Sequence, residues 1–263
     1  MRRLLTFACE GATLGASLDV APGATGLLIA VGGTQTRIGS HRMFERLAGA
    51  AATAGFPVFR FDRRGVGDSE GEDPGWRGSG PDLAAAAAAF RAEAPGVRRT
   101  VGLGLCDGAG ALCLHAAAAG LDALILVNPW LVEAGADDPA PAALRTHYRA
   151  RLTSLASWKK LLSGSVSYTK LLASLAKASK RVTGDLSTEL AAALRASDLA
   201  ADWILAEGDT TAIAAAAELG KPHWRGLAGR RQSVATDSHT FAQPGDAAAL
   251  EAAVLGVLGE LGG

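Results

Sequence analysis

Cysteine is scarce in this chain, three in 263 residues, and the three (Cys9, Cys106 and Cys113) contain no C-x-x-C pair. An odd, unpaired set excludes a disulfide framework and a zinc-ribbon site, and it is the usage expected of a reducing cytoplasm. Net charge is missing as well, because 26 Lys and Arg balance 26 Asp and Glu. No global field therefore draws nucleic acid or an anionic membrane, and the expected partner is a small molecule. Apolar runs are too short for a bilayer, which asks for about 20 residues. The start, MRRLLTFACEGATLGASL, is interrupted by Glu10 and by glycine before a signal-peptide core forms. No stretch reads as a linker, so one large α/β domain with an insertion is expected. No cofactor and no metal are expected.

Alanine is abundant, in blocks such as 83–90 and 212–219. It is the best helix former, so these blocks read as ordinary helices. Between them lie short all-apolar runs such as GLLIAV (26–31) and LILV (124–127), the pattern of strands buried on both faces. Two alternating segments at the start, 4–9 and 12–20, read as a hairpin turning at Glu10-Gly11 on the sheet edge. Strand, loop and helix then repeat through 26–55, 56–94 and 100–119, and again from 202 onward. That rhythm belongs to a doubly wound, mostly parallel sheet, whose ligands bind at the carboxyl ends of the strands.

The rhythm breaks between 131 and 199, where amphipathic stretches (144–155, 158–162, 168–176) carry Arg145, Arg149, Arg151 and several lysines. This segment reads as a helical cap inserted over the strand ends, leaving 1–130 and 200–263 as the core. Its basic residues suit either a solvated helical face or an anion site.

Residues 100–119, TVGLGLCDGAGALCLHAAAA, organise the rest. A glycine-alternating strand ends at Cys106 and a helix of small residues follows. Gly104-Leu105-Cys106-Asp107-Gly108 thus fits the G-x-S-x-G nucleophile elbow with cysteine in place of serine. Gly67-Asp68-Ser69-Glu70-Gly71 matches the serine form but lacks a preceding apolar strand and a following helix, so it fails the context that gives the motif meaning.

A thiol nucleophile needs a base, and the base an orienting carboxylate. Of the five histidines, His115 lies far along the elbow helix, His147 in the cap, His223 before a strand and His41 at a helix start. His239 follows the last strand. Asp209 follows the strand at 202–206, with Glu207 and Asp237 in reserve. The order Cys106, Asp209, His239 is nucleophile, acid, base. For the developing oxyanion, one N–H is expected from Asp107 and another from Gly33 or Thr34 in the loop after 26–31.

The elbow, this residue order and the loop Asp62-Arg63-Arg64-Gly65-Val66-Gly67-Asp68-Ser69 together resemble the α/β-hydrolase superfamily. More narrowly, GLCDGA, LVNPW, SWKKLLSGSVSY and GDTTA resemble the exosortase A system-associated hydrolase 1 family, cysteine-elbow proteins of bacteria from exopolysaccharide and protein-sorting loci. The resemblance implies an α/β-hydrolase fold with a helical cap and Cys106, Asp209 and His239 as a triad. A cysteine triad also resembles dienelactone hydrolase, whose plan lacks the helical cap. The expectation is a hydrolase acting on an ester, thioester or lactone carbonyl through a thioester acyl-enzyme. Acyl transfer to a sugar or lipid acceptor, and a non-catalytic binding or assembly protein, are the alternatives.

Overall fold

The computed structural model describes residues 1–132, 185–227 and 229–262. The cap stretches at 144–176, with Arg145, Arg149, Arg151 and His147, lie outside these residues.

Each all-apolar run becomes a strand with no solvent-facing side. β3 (Thr25–Ala30) and β6 (Ala123–Val127) are buried at every position. They sit in the middle of one eight-stranded sheet of order β1-β2-β4-β3-β5-β6-β7-β8. The other members are β1 (Arg2–Cys9), β2 (Ala12–Asp19), β4 (Val58–Phe61), β5 (Arg99–Leu105), β7 (Ala200–Ala206) and β8 (Arg231–Val234). β1 and β2 form the hairpin at one edge, turning through Glu10 and Gly11 with φ of 47° and 84°. Two consecutive left-handed residues match the twist of the flanking strands. β2 meets β4 antiparallel, and every pairing from β4 to β8 is parallel.

Helices cover both faces. α1 (Met43–Thr53) and α7 (Asp246–Gly262) touch each other. The short α2 (Gly75–Gly78) and then α3 (Gly80–Glu93) pack against α4 (Asp107–His115), which also meets α5 (Asp185–Ser197). α6 (Thr210–Glu218) lies on β7. α5 follows the undescribed segment and buries Leu186, Leu190, Ala191 and Leu194 in the common core. The core is dense in aromatic contacts: Trp203 meets Trp224 edge to face at 5.5 Å, and Phe59 stacks on Phe90 at 5.4 Å.

Two local features depart from the expected pattern. The helix expected from His41 begins at Met43, because His41 and Arg42 adopt left-handed conformations (φ 41° and 64°) in a single 3₁₀ turn. Within the apolar strand β4, Arg60 is buried, donating to the Asp19 carboxylate at 3.2 Å and to the Arg37 carbonyl at 2.9 Å. A buried charge persists only when paired and hydrogen-bonded, so Arg60 ties β4 to the edge hairpin.

Candidate active site

β5 ends at Leu105 and the chain turns on Cys106, whose φ of 59° and ψ of −123° are rarely adopted by a residue with a side chain. Three backbone bonds hold it there. Its N–H donates to the Val127 carbonyl at 3.0 Å, and its carbonyl accepts from Trp130 N–H at 3.0 Å and Ala109 N–H at 3.2 Å. The flanking glycines are a steric requirement. A Cβ on Gly104 would stand 2.6 Å from the backbone of Gly108 and Ala109, and one on Gly108 would stand 2.5 Å from the Ala30 carbonyl. Cys106 caps the N-terminus of α4 and is partly exposed. A helix N-terminus favours negative charge on a neighbouring atom.

Asp209 leaves β7 as the N-cap of α6, accepting at Oδ2 from Ala212 N–H at 2.9 Å. The same oxygen accepts from His239 Nδ1 at 3.0 Å. Asp209 is 6% exposed, so this bond is shielded from water. His239 lies in the loop after β8. That loop is anchored by Thr236, whose hydroxyl donates to Asp246 at 2.6 Å and accepts from Ser238 N–H at 3.1 Å. Burial disfavours the charged imidazole, but the Asp209 carboxylate and the Cys106 sulfur outweigh it and hold the His239 pKa up at about 10. The structure thus brings Cys106, His239 and Asp209 together from the ends of β5, β8 and β7.

Residues 22–254 match the model of the alpha/beta hydrolase family. The chain belongs to that family. Among similar solved structures, the Pyrococcus furiosus esterase Pf2001 is 15% identical, with 100% of this chain and 92% of that one covered and a TM-score of 0.65. Dienelactone hydrolase from Anabaena variabilis is 14% identical, with 97% and 94% covered and a TM-score of 0.63. The thioesterase domain from the curacin biosynthetic pathway is 15% identical, with 97% and 99% covered and a TM-score of 0.61. At these identities the likeness shows the fold. No curated protein sequence matches the chain.

In this alpha/beta hydrolase the expected oxyanion donors occupy two different situations. Asp107 opens α4, with its N–H at the helix start. Gly33, by contrast, donates its N–H to the Asp107 carboxylate at 2.6 Å. That carboxylate leaves no room for a side chain at Gly32, where a Cβ would lie 2.4 Å from Oδ1. The Gly33 N–H is therefore engaged, and Thr34 is exposed in the same turn.

The remaining candidates have other partners. Ser69, at the centre of the rival motif, donates to the Asp62 carbonyl at 2.6 Å and accepts from Gly15 N–H at 3.0 Å. Asp62 itself is buried, accepting from Asp68 N–H and pairing with Arg37. The loop that resembles the superfamily pattern is thus a folded knot. Asp237 accepts from the Gln243 amide, and Glu207 is exposed. His115 meets the Arg77 carbonyl at 2.8 Å, His223 meets Ser187 at 2.9 Å, and His41 meets the Thr240 carbonyl at 2.9 Å. Cys9 and Cys113 are buried. Burial and then the Asp82 carboxylate push the Cys9 thiol up to about 11, and burial pushes Cys113 up to about 12. Among the described residues, no group of three or more His, Cys, Asp or Glu is placed to hold a metal ion, and no helix is long and apolar enough to cross a membrane.

A residue that sequence reasoning passed over is Asn128, fully buried at the end of β6, where it donates to the His239 carbonyl at 2.9 Å. The signal was there to read. A polar residue directly after LILV must find partners inside the protein.

The raised pKa of His239 couples protonation to folding. The folded value, about 10, lies above the ordinary 6.5. Its stabilising contribution is therefore complete below about pH 6.5 and is lost as pH rises toward about 10. Urea unfolding of the wild type should show stability declining across that window. His239→Ala should remove this part of the decline, and equal slopes in the two proteins would contradict the raised pKa.

Proposed function

We propose that this alpha/beta hydrolase cleaves an activated acyl compound, an ester, thioester or lactone, with Cys106 as nucleophile. Support comes chiefly from one arrangement: a histidine that hydrogen-bonds Asp209 through Nδ1 at 3.0 Å and interacts electrostatically with the Cys106 sulfur, with the cysteine on a strained strand-to-helix turn. In the first half-reaction the sulfur forms a bond to the acyl carbon while the thiol proton resides on His239. The carbonyl electron pair moves to oxygen, facing the N–H groups of Asp107 and Thr34. Collapse expels the alcohol or thiol, which takes the proton from His239. Water then attacks the thioester, gives its proton to His239, and the carboxylic acid leaves as the proton returns to sulfur. Asp209 orients the ring and stabilises its charge throughout.

The substrate class is consistent with the names of the structural neighbours, an esterase, a dienelactone hydrolase and a thioesterase. The motif strings support membership of the exosortase A system-associated group, and the three free cysteines support a reducing compartment. The partner is a small acyl compound.

Iodoacetamide at neutral pH tests the assignment of the nucleophile, because the ionised sulfur is the reactive form. Cys106 should be alkylated well before Cys9 and Cys113, as peptide mass mapping would show. Equal labelling of all three, or Cys113 first, would remove Cys106 from its role.

A further inference from the structure

β6 ends at Val127, and the chain turns through Asn128, Pro129 and Trp130. This turn touches every element that carries a member of the triad. Val127 and Trp130 hold the N–H and the carbonyl of Cys106, both at 3.0 Å. Asn128 reaches the other two. Its backbone N–H donates to Ile204 in β7 at 3.0 Å, its Oδ1 accepts from Ala206 N–H at 2.8 Å, and its Nδ2 donates to the His239 carbonyl at 2.9 Å. Ala206 is the last residue of β7, three positions before Asp209.

The chemistry of these contacts selects asparagine. One partner is a donor and the other an acceptor, so the site needs a side chain with both functions on one short stem. Aspartate supplies the acceptor and, when ionised, lacks the donor. Leucine supplies neither. The backbone φ of 39° is left-handed, which asparagine tolerates better than most residues. Complete burial means water cannot replace a lost bond.

We propose that Asn128 is a positioning residue: by tying the main chain of His239 to the end of β7, it sets the imidazole between Asp209 and Cys106. The role rests on the triad reading of the proposed function. A ring held from Nδ1 alone can swing about that bond, whereas one whose own carbonyl is also fixed has a defined approach to sulfur. Misplacement by about 1 Å can cost on the order of a hundredfold in rate.

The test uses Asn128→Gly, which accepts the left-handed backbone and removes both side-chain bonds, Asn128→Asp, which keeps the acceptor, and His239→Ala as reference. Thermal melts establish folding. Hydrolysis of a p-nitrophenyl ester gives kcat and KM, and iodoacetamide alkylation of Cys106 is followed from pH 5 to 10. Asn128→Gly should lose about 10- to 100-fold in kcat with KM changed less than about twofold, and its alkylation profile should move toward that of His239→Ala. Asn128→Asp should show a new ionisation, working near the wild-type level where the carboxyl is protonated and can donate, and falling as it ionises. Folded variants with the wild-type pH profile overturn the proposal. Loss of the fold in both variants overturns it too, by making Asn128 merely structural. If His239→Ala itself leaves the alkylation profile unchanged, the triad reading fails and the positioning role falls with it.

Discussion

His239→Ala should abolish turnover, by about 10⁴-fold, while the protein still melts cooperatively. In the proposed mechanism the alanine removes the group that takes the proton from sulfur and returns one to the leaving group. No other described histidine can substitute, since His41, His115 and His223 are each engaged elsewhere. Because the His239 side chain is one-third exposed, its loss should leave the core intact. Asp209→Asn should cost less, on the order of a hundredfold or more. It keeps a partner for Nδ1 but removes the charge, and it can still accept from Ala212 N–H to cap α6. Steady-state kinetics on an ester substrate separate these cases. Should Glu207→Gln prove damaging and Asp209→Asn silent, the acid would have to be reassigned.

Removing the proposed nucleophile should have an effect at least as large. With Cys106→Ala, no acyl-enzyme can form, so mass spectrometry of protein mixed with an activated ester should show an acyl adduct on the wild type and none on the variant. Turnover should fall by about 10⁴-fold or more, the residue of activity coming from whatever the anion donors and His239 achieve with water directly. Alanine keeps the Cβ and therefore the strained turn, and the bonds from Val127, Trp130 and Ala109 are all to backbone atoms. A change in activity is thus not a change in fold. An adduct that persists in Cys106→Ala, or a variant with wild-type turnover, would move the chemistry elsewhere.

Much of this molecule is legible along the chain because the relevant physics is local. A buried parallel strand must be apolar on both faces, so GLLIAV and LILV declare themselves as β3 and β6. The elbow declares itself through its glycines, since only residues without Cβ fit where Gly104 and Gly108 meet backbone at 2.6 and 2.5 Å. Arg60 was hidden within an apolar run, because the compensating Asp19 is 41 residues away. The start of α1 lies at Met43 and not at His41 for a related reason. The left-handed turn at His41 and Arg42 is held by contacts such as that from His41 to Thr240, 199 positions along.

The sequence by itself determined the mostly parallel sheet, the position of the elbow and the short set of acids and histidines from which a site could be built. Those features follow from periodicity, backbone sterics and placement after strands. Only the tertiary structure decided the pairings. Parallel strands β6, β7 and β8 lie side by side, so the loops after them converge although far apart in the chain. That convergence selects Asp209 over Glu207 and Asp237 as the partner of His239, and it brings Asn128 to a residue 111 positions distant. The parallel pairing of β3 with β5 likewise engages Gly33 with the Asp107 carboxylate across 74 positions. Hydrogen bonds of this kind depend on strand register and on angles between loops, and no local pattern of residue types encodes either.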